Sequence, residues 1–278
     1  MNKRLRKLIL MGGGEFAGAY DAIPNIVHVY EPARRVLASY TGNLIRLRRA
    51  SDNAEANFTY TANGDLDTAA IAAWASGASY VVTVYDQVGG DNITQAVAAN
   101  QPLFTASAQN GHAGMTFDGV DDYLQGTYTV GGALSQPFHV YAVAKLDATA
   151  VNDDVIHCFI DGKDGVRMRF LTSAVSSPDT WRVNLGVYLT SPTATHSNTV
   201  LWSVLANEAS SELYFNGALD VSGNIGSENA PGLTMAARYD GAQLWKGYII
   251  SVIICDPAHT TAQRQAMEAA INDYWGIY

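Results

Sequence analysis

Apolar side chains recur along most of this chain at every second position. The run 80–85 is β-branched and aromatic and reads as a strand. Ile45 and Leu47 alternate with Arg46 and Arg48, which puts the apolar pair on one strand face and the arginines on the other. Further strands are expected over 26–30, 138–145, 155–160, 166–171, 181–189, 200–205, 233–238 and 245–254. Asn216-Gly217, between apolar runs, supplies the two positive-φ positions of a type I′ hairpin. Helical signals are confined to three places. Pro32 suits the first turn of a short helix through Ser39. Asp65 or Asp67 caps a lid helix carrying Ala70, Ile71 and Trp74, with Gly77 as its stop. Thr260 and Gln263 have capping-box spacing ahead of a C-terminal helix with Met267, Ala270, Ile271 and Tyr274 on one face, Trp275 as an anchor and Gly276 as the stop. Short strands separated by turns favour an all-β sandwich over alternating β and α units.

Composition agrees with one sizeable domain of many turns: 278 residues, 48% hydrophobic and only 15% charged. Charge divides the chain unevenly. Residues 1–49 hold nine Lys and Arg against three acidic residues, and the remainder holds eight against twenty-three. The acidic body excludes nucleic acid as a partner of the main domain, because phosphates are repelled. Residues 1–20 read as a basic, glycine-containing arm that docks on other proteins, and 21–278 as one domain. No run of about 18 apolar residues marks a membrane span, and 8–11 is too short for a secretory h-region. Cys158 and Cys255 each sit in a strand-like apolar run and read as two buried thiols rather than a disulfide.

One set of motifs is specific. Tyr85-Asp86-Gln87-x-Gly89-x-Asp91-Asn92-x-Thr94-Gln95, then Asn100-Gln101-Pro102, then Phe117-Asp118-Gly119-x-Asp121-Asp122-Tyr123-Leu124, resembles concanavalin A-like (laminin-G-like) jelly-roll domains. Arg34-Arg35 through Asp52 extends the likeness, so that it covers roughly residues 30 to 278. Two groups carry this version: phage and prophage structural proteins, and the catalytic domain of fungal-type α-L-arabinofuranosidases. The resemblance implies a jelly-roll β-sandwich with a short lid helix and a C-terminal helix.

The chemistry the resemblance implies divides the two groups. Retaining glycosidases work with two carboxyls roughly 5–5.5 Å apart. In the arabinofuranosidases the acid/base is an Asp before the penultimate strand, and Asp240 lies there. The nucleophile is a Glu in a segment begun by a Trp. Here the segment from Trp181 puts Val187 at that place, with no acidic residue between Asp179 and Glu208. The expectation is therefore a domain without catalytic residues: a virion protein, assembled in a bacterial cytoplasm and exposed on a tail or capsid, with lectin-like binding of a cell-surface glycan. Its alternatives are an arabinofuranosidase-like hydrolase and a decoration protein with no ligand. A homo-oligomer is expected. The glycan site is placed on Asp86, Gln87, Asp91 and Asn92 together with Tyr239 and Asp240, with both loops at one end of the sandwich. The six histidines have no metal-binding spacing. Asp118, Asp121 and Asp122 offer oxygens to Ca²⁺, but a structural acidic turn is the favoured reading and no cofactor is expected.

Overall fold

A computed structural model describes residues 16–174 and 178–278. The basic run of the proposed arm, within residues 1–15, lies outside the described residues. Among those described, eighteen antiparallel strands form two facing layers. The first runs β3 (Glu55–Phe58), β2 (Ile45–Arg49), β4 (Ser79–Val84), β5 (Ile93–Thr94), β8 (Leu124–Thr127), β17 (Gly232–Met235), β10 (Cys158–Asp161), β11 (Arg169–Thr172), β12 (Thr180–Asn184) and β13 (Tyr188–Ala194). The second runs β6 (Leu103–Gln109), β7 (His112–Asp118), β18 (Lys246–Cys255), β9 (Phe138–Leu146), β14 (Thr199–Ala206), β15 (Ser211–Phe215) and β16 (Ala218–Gly223). β1 (Ile26–Tyr30) shares the β7 side of β18, and the pair Tyr80 and Leu103 joins the layers along one margin. This is the all-β sandwich expected from the strand pattern, in the jelly-roll form that the resemblance implies.

The core between the layers is aromatic where β10 to β14 meet. Phe159 packs on Trp202 with ring centroids 4.7 Å apart and planes tilted by 57°, Trp181 meets Trp202 edge-on at 5.1 Å, and Trp245 closes the group 5.2 Å from Phe159. β9 is buried along both faces because a second cluster covers its outer side. There the C-terminal helix α2 (Thr261–Trp275) lays Met267, Ile271 and Trp275 on Tyr141, Val143, Leu201 and Ile253. Tyr20, fully buried, belongs to the same cluster. The Thr260 and Gln263 capping box forms, and Gly276 ends the helix in the left-handed region at φ 59°. The lid helix α1 (Thr68–Ala75) begins where the Asp67 side chain accepts from the Ala70 N–H.

Two expectations change. Residues 32–39 form no helix, because their backbone groups bond to Gln87 instead: its Oε1 accepts from Val36, and its Nε2 donates to the carbonyls of Glu31 and Arg34. The predicted strand 181–189 is a hairpin, broken at Gly186 with φ 117°. The Asn216-Gly217 turn has φ 52° and 80°, and both cysteines are free and buried, as expected.

Candidate active site

Strand register places one continuous row of polar residues on the face of the first layer turned away from the core. Asn57 faces Arg46, which faces Thr83, then Thr94, Gln125, Thr234 and Asp161 in succession. An ion pair of 3.0 Å links Asp161 to Arg169, and Arg169 faces Asn184, which faces Tyr188. The alternate positions Ile45, Val84, Ile93, Leu124, Leu233, Ile160, Phe170 and Val183 point into the core, as the two-residue period of a strand requires.

A loop folds over the middle of this row. After β17 the chain turns at Ala236, with φ 74°, and returns at Trp245, whose N–H donates to the Ala236 carbonyl at 2.8 Å. Between them, the Tyr239 N–H donates to Asp161 Oδ2 at 3.1 Å, and Gln125 Nε2 donates to the Tyr239 carbonyl at 2.9 Å. Tyr239 is thus clamped across the strands, and Asp240 is displayed beside it in solvent. Arg238 grips Asp240 with both arms of its guanidinium, at 2.7 and 2.5 Å.

The two carboxyls are driven in opposite directions. Hydrogen bonding from Arg238 holds Asp240 below the usual carboxylate range. Burial pushes Asp161 up, against the pull of Arg169 and of the Tyr239 and Met168 amides. Asp161 has no exposed surface, and all its bonding positions are used: Oδ1 accepts from Gly162 and Met168, and Oδ2 from Arg169 and Tyr239.

The expected site residues separate into two groups. Tyr239 and Asp240 lie on the polar row, whereas the polar atoms of the 86–92 loop turn inward. Asp86 accepts from the amides of Val29, Val88 and Gly89 and lies 2.8 Å from His28 Nδ1. Gln87 ties down the 31–36 backbone, Asn92 accepts from the Asp86 amide, and Asp91 accepts from Thr129 and Val130. Burial alone would raise Asp91, but these Thr129 and Val130 bonds bring it below its usual value. Nor do the loops share an end. β5 is antiparallel to both β4 and β8, so β4 runs toward the end where Asp91 meets Thr129. β17 starts there, with Gly232 opposite Thr127, and leaves at the far end, with Met235 opposite Leu124. The Asp240 loop therefore rises from the opposite end.

The hairpin alters the nucleophile position as well. Val187 lies in the β12–β13 turn, 46% exposed and off the row, and the residues of this hairpin that stand on the row are Tyr188 and Asn184, the latter buried, with Oδ1 accepting from the Gly186 amide at 3.2 Å. Asp161, Arg169, Asn184 and Tyr188 were not singled out from the sequence. The available signal was the alternation of Arg169, Leu171 and of Arg182, Asn184 with the apolar Phe170 and Val183. In the acidic turn the oxygens of Asp118, Asp121 and Asp122 lie within 4.8 Å of one another, but Asp118 already caps the Val120 amide and Asp122 the Asp118 amide.

The family model for the α-L-arabinofuranosidase B catalytic domain matches residues 21–162, 142 of the 278 positions, a span that includes Asp161 and ends before Asp240. An arabinofuranosidase structure complexed with arabinofuranosyl-α-1,2-xylobiose superposes with a TM-score of 0.73 at 16% identity, over 91% of this chain and 64% of that one. A GH54 α-L-arabinofuranosidase soaked with a cyclic sulfate inhibitor gives 0.68 at 16% identity, again over 91% and 64%. The binding domain of Paraclostridial mosquitocidal protein 1 gives 0.51 at 10% identity, over 69% and 52%. At such identities these structures establish the fold, and this chain spans about two thirds of the length of the arabinofuranosidase structures. No curated protein matches the chain. The family model is that of a catalytic domain, which overturns the expectation of a virion protein without enzymatic character. With its family model covering just over half its length, the chain belongs to the α-L-arabinofuranosidase B catalytic-domain family.

Proposed function

We propose that this chain is a glycoside hydrolase of the α-L-arabinofuranosidase type, which receives an arabinofuranosyl-substituted glycan along the polar row of the first layer. The observation that carries this reading is Asp240: an ionised carboxylate displayed from a clamped loop, over a row of hydroxyls, amides and guanidiniums, where the family resemblance puts a catalytic Asp. Tyr188, 48% exposed at the end of the row, offers a ring for a sugar to stack on.

Glycosidic hydrolysis needs a proton for the leaving oxygen and a carboxylate for the anomeric carbon or its attacking water. Asp161 is the carboxyl that adjoins the Asp240 loop, and its proton affinity is raised while that of Asp240 is lowered. Asp240, held ionised by Arg238, takes in this proposal the base half of the acid/base role that the resemblance gives its position, while Asp161, ion-paired with Arg169 and bonded by the Gly162, Met168 and Tyr239 amides, anchors the loop that carries it.

Release of 4-nitrophenol from 4-nitrophenyl α-L-arabinofuranoside tests it. Wild-type turnover should fall by about 10²–10⁴ in Asp240→Asn, the usual worth of a positioned acid or base, with the circular dichroism spectrum unchanged. Absence of turnover in the wild type, or full activity in Asp240→Asn, overturns the reading.

A further inference from the structure

Three arginines belong to this part of the outward face, and one differs from the other two. Arg169 is paired with Asp161 at 3.0 Å and Arg238 with Asp240 at 2.5 Å. Arg182, between Leu171 of β11 and Thr190 of β13, has no ion pair among the described residues. Its Nε is buried with no hydrogen-bond partner among the described residues, and its guanidinium carbon stands 5.4 Å from the centroid of the Tyr188 ring. Thr180 Oγ1, two positions back on the same face of β12, is likewise buried with no partner among the described residues. Folded proteins leave few buried polar groups unpaired, and each such group calls for an explanation. An excess of carboxylates, 26 Asp and Glu against 17 Lys and Arg, makes an arginine without one all the more distinctive.

We propose that Arg182, with Tyr188 beneath it, is a subsite for the carboxylate of a uronic acid carried by the glycan beside the unit that meets Asp240. Two strand spacings of about 4.8 Å put Arg182 roughly 10 Å from the Asp161 column, so the two positions belong to different sugars of one bound oligosaccharide. A guanidinium fork matches a planar carboxylate through two parallel N–H···O bonds, and such charge-assisted bonds are the strong ones. The aromatic ring stacks on the sugar that bears the carboxylate, while Arg182 supplies the charge. The substrate class is thereby narrowed from arabinofuranosyl glycans to acidic ones. This inference rests on the glycan-binding reading above, and its test separates the two.

Calorimetric titration of the full chain uses one arabinoxylan-derived oligosaccharide bearing a glucuronate and the same oligosaccharide with that carboxyl reduced to the neutral glucose. The glucuronate form should bind at least about tenfold tighter, with an advantage that shrinks as NaCl is raised. Arg182→Met should abolish the advantage and leave affinity for the neutral form unchanged; Arg182→Lys, which keeps the charge and loses the fork, should retain part of it. Equal affinity of the wild type for both forms overturns the inference and leaves the glycan reading standing. An advantage that survives in Arg182→Met also overturns it. Absence of binding to either form removes both.

Discussion

The Tyr239 amide and the Asp161 carboxylate are joined by a 3.1 Å hydrogen bond that holds the end of one loop against the centre of a ten-strand layer. Asp161 Oδ2 also accepts from Arg169 Nε at 3.0 Å, so the position of Asp240, one residue beyond Tyr239, depends on a buried ion pair between the two strands next beyond β17. Replacing one member of such a pair leaves the other buried and uncompensated.

Asp161→Asn should therefore cost about 3–5 kcal/mol in urea-induced unfolding, because the amide can satisfy neither the guanidinium nor all four donors that converge on it. The double variant Asp161→Asn with Arg169→Leu should be markedly less destabilised than the sum of its single changes. Additive losses would show that the pair is not coupled as the geometry indicates.

Arg238 sets the protonation of Asp240. Its hydrogen bonds lower the Asp240 pKa, so Arg238→Gln should raise that pKa toward the ordinary carboxylate value. If Asp240 works ionised, activity is lost as pH falls through its pKa, and the acid limb of kcat/KM should move to higher pH in the variant. An acid limb that stays in place, or moves to lower pH, excludes Asp240 as the group responsible for it.

Asp122 gives the fold a pH dependence of its own. Burial, reinforced by the neighbouring Asp118, pushes its carboxyl up to about 7. The folded state then holds a proton that the unfolded chain releases near 4, so stability falls as pH rises through the interval from about 4 to about 7. The contribution of this group is roughly 2–4 kcal/mol across that interval. Asp122→Asn, which mimics the protonated form, should flatten the dependence of Tm on pH between 4 and 7. A wild-type Tm that climbs over this range and is unaffected by the substitution would contradict the assignment.

Local chemistry was enough to define most of the elements. Ile45 and Leu47 alternate with arginines and are buried while Arg46 is exposed. Asn216-Gly217 turns a hairpin, and Thr260 with Gln263 starts the C-terminal helix, because each signal acts within a few residues of itself. The resemblance in the 85–124 motifs belongs to the same category, since the motif residues mark a fold shared by a family. Which polar residues face solvent was decided only by the tertiary structure. Asp86, Gln87, Asp91 and Asn92 have the composition of a binding loop, yet their acceptors and donors are used by the backbones of Val29, Val36, Thr129 and Asp86, segments up to 57 positions away in the chain. Conversely, Asp161 ends an apolar strand and looks unremarkable in sequence, and it becomes the centre of the site only when Arg169 from the next strand and Tyr239 from a distant loop converge on it. The nucleophile comparison turned on the same limit: a one-residue left-handed turn at Gly186 moves Val187 off the face and leaves Asn184 on it. Alternation along a strand defines its two faces, but only pairing with other strands determines which face meets the core and which residues of separate strands stand side by side.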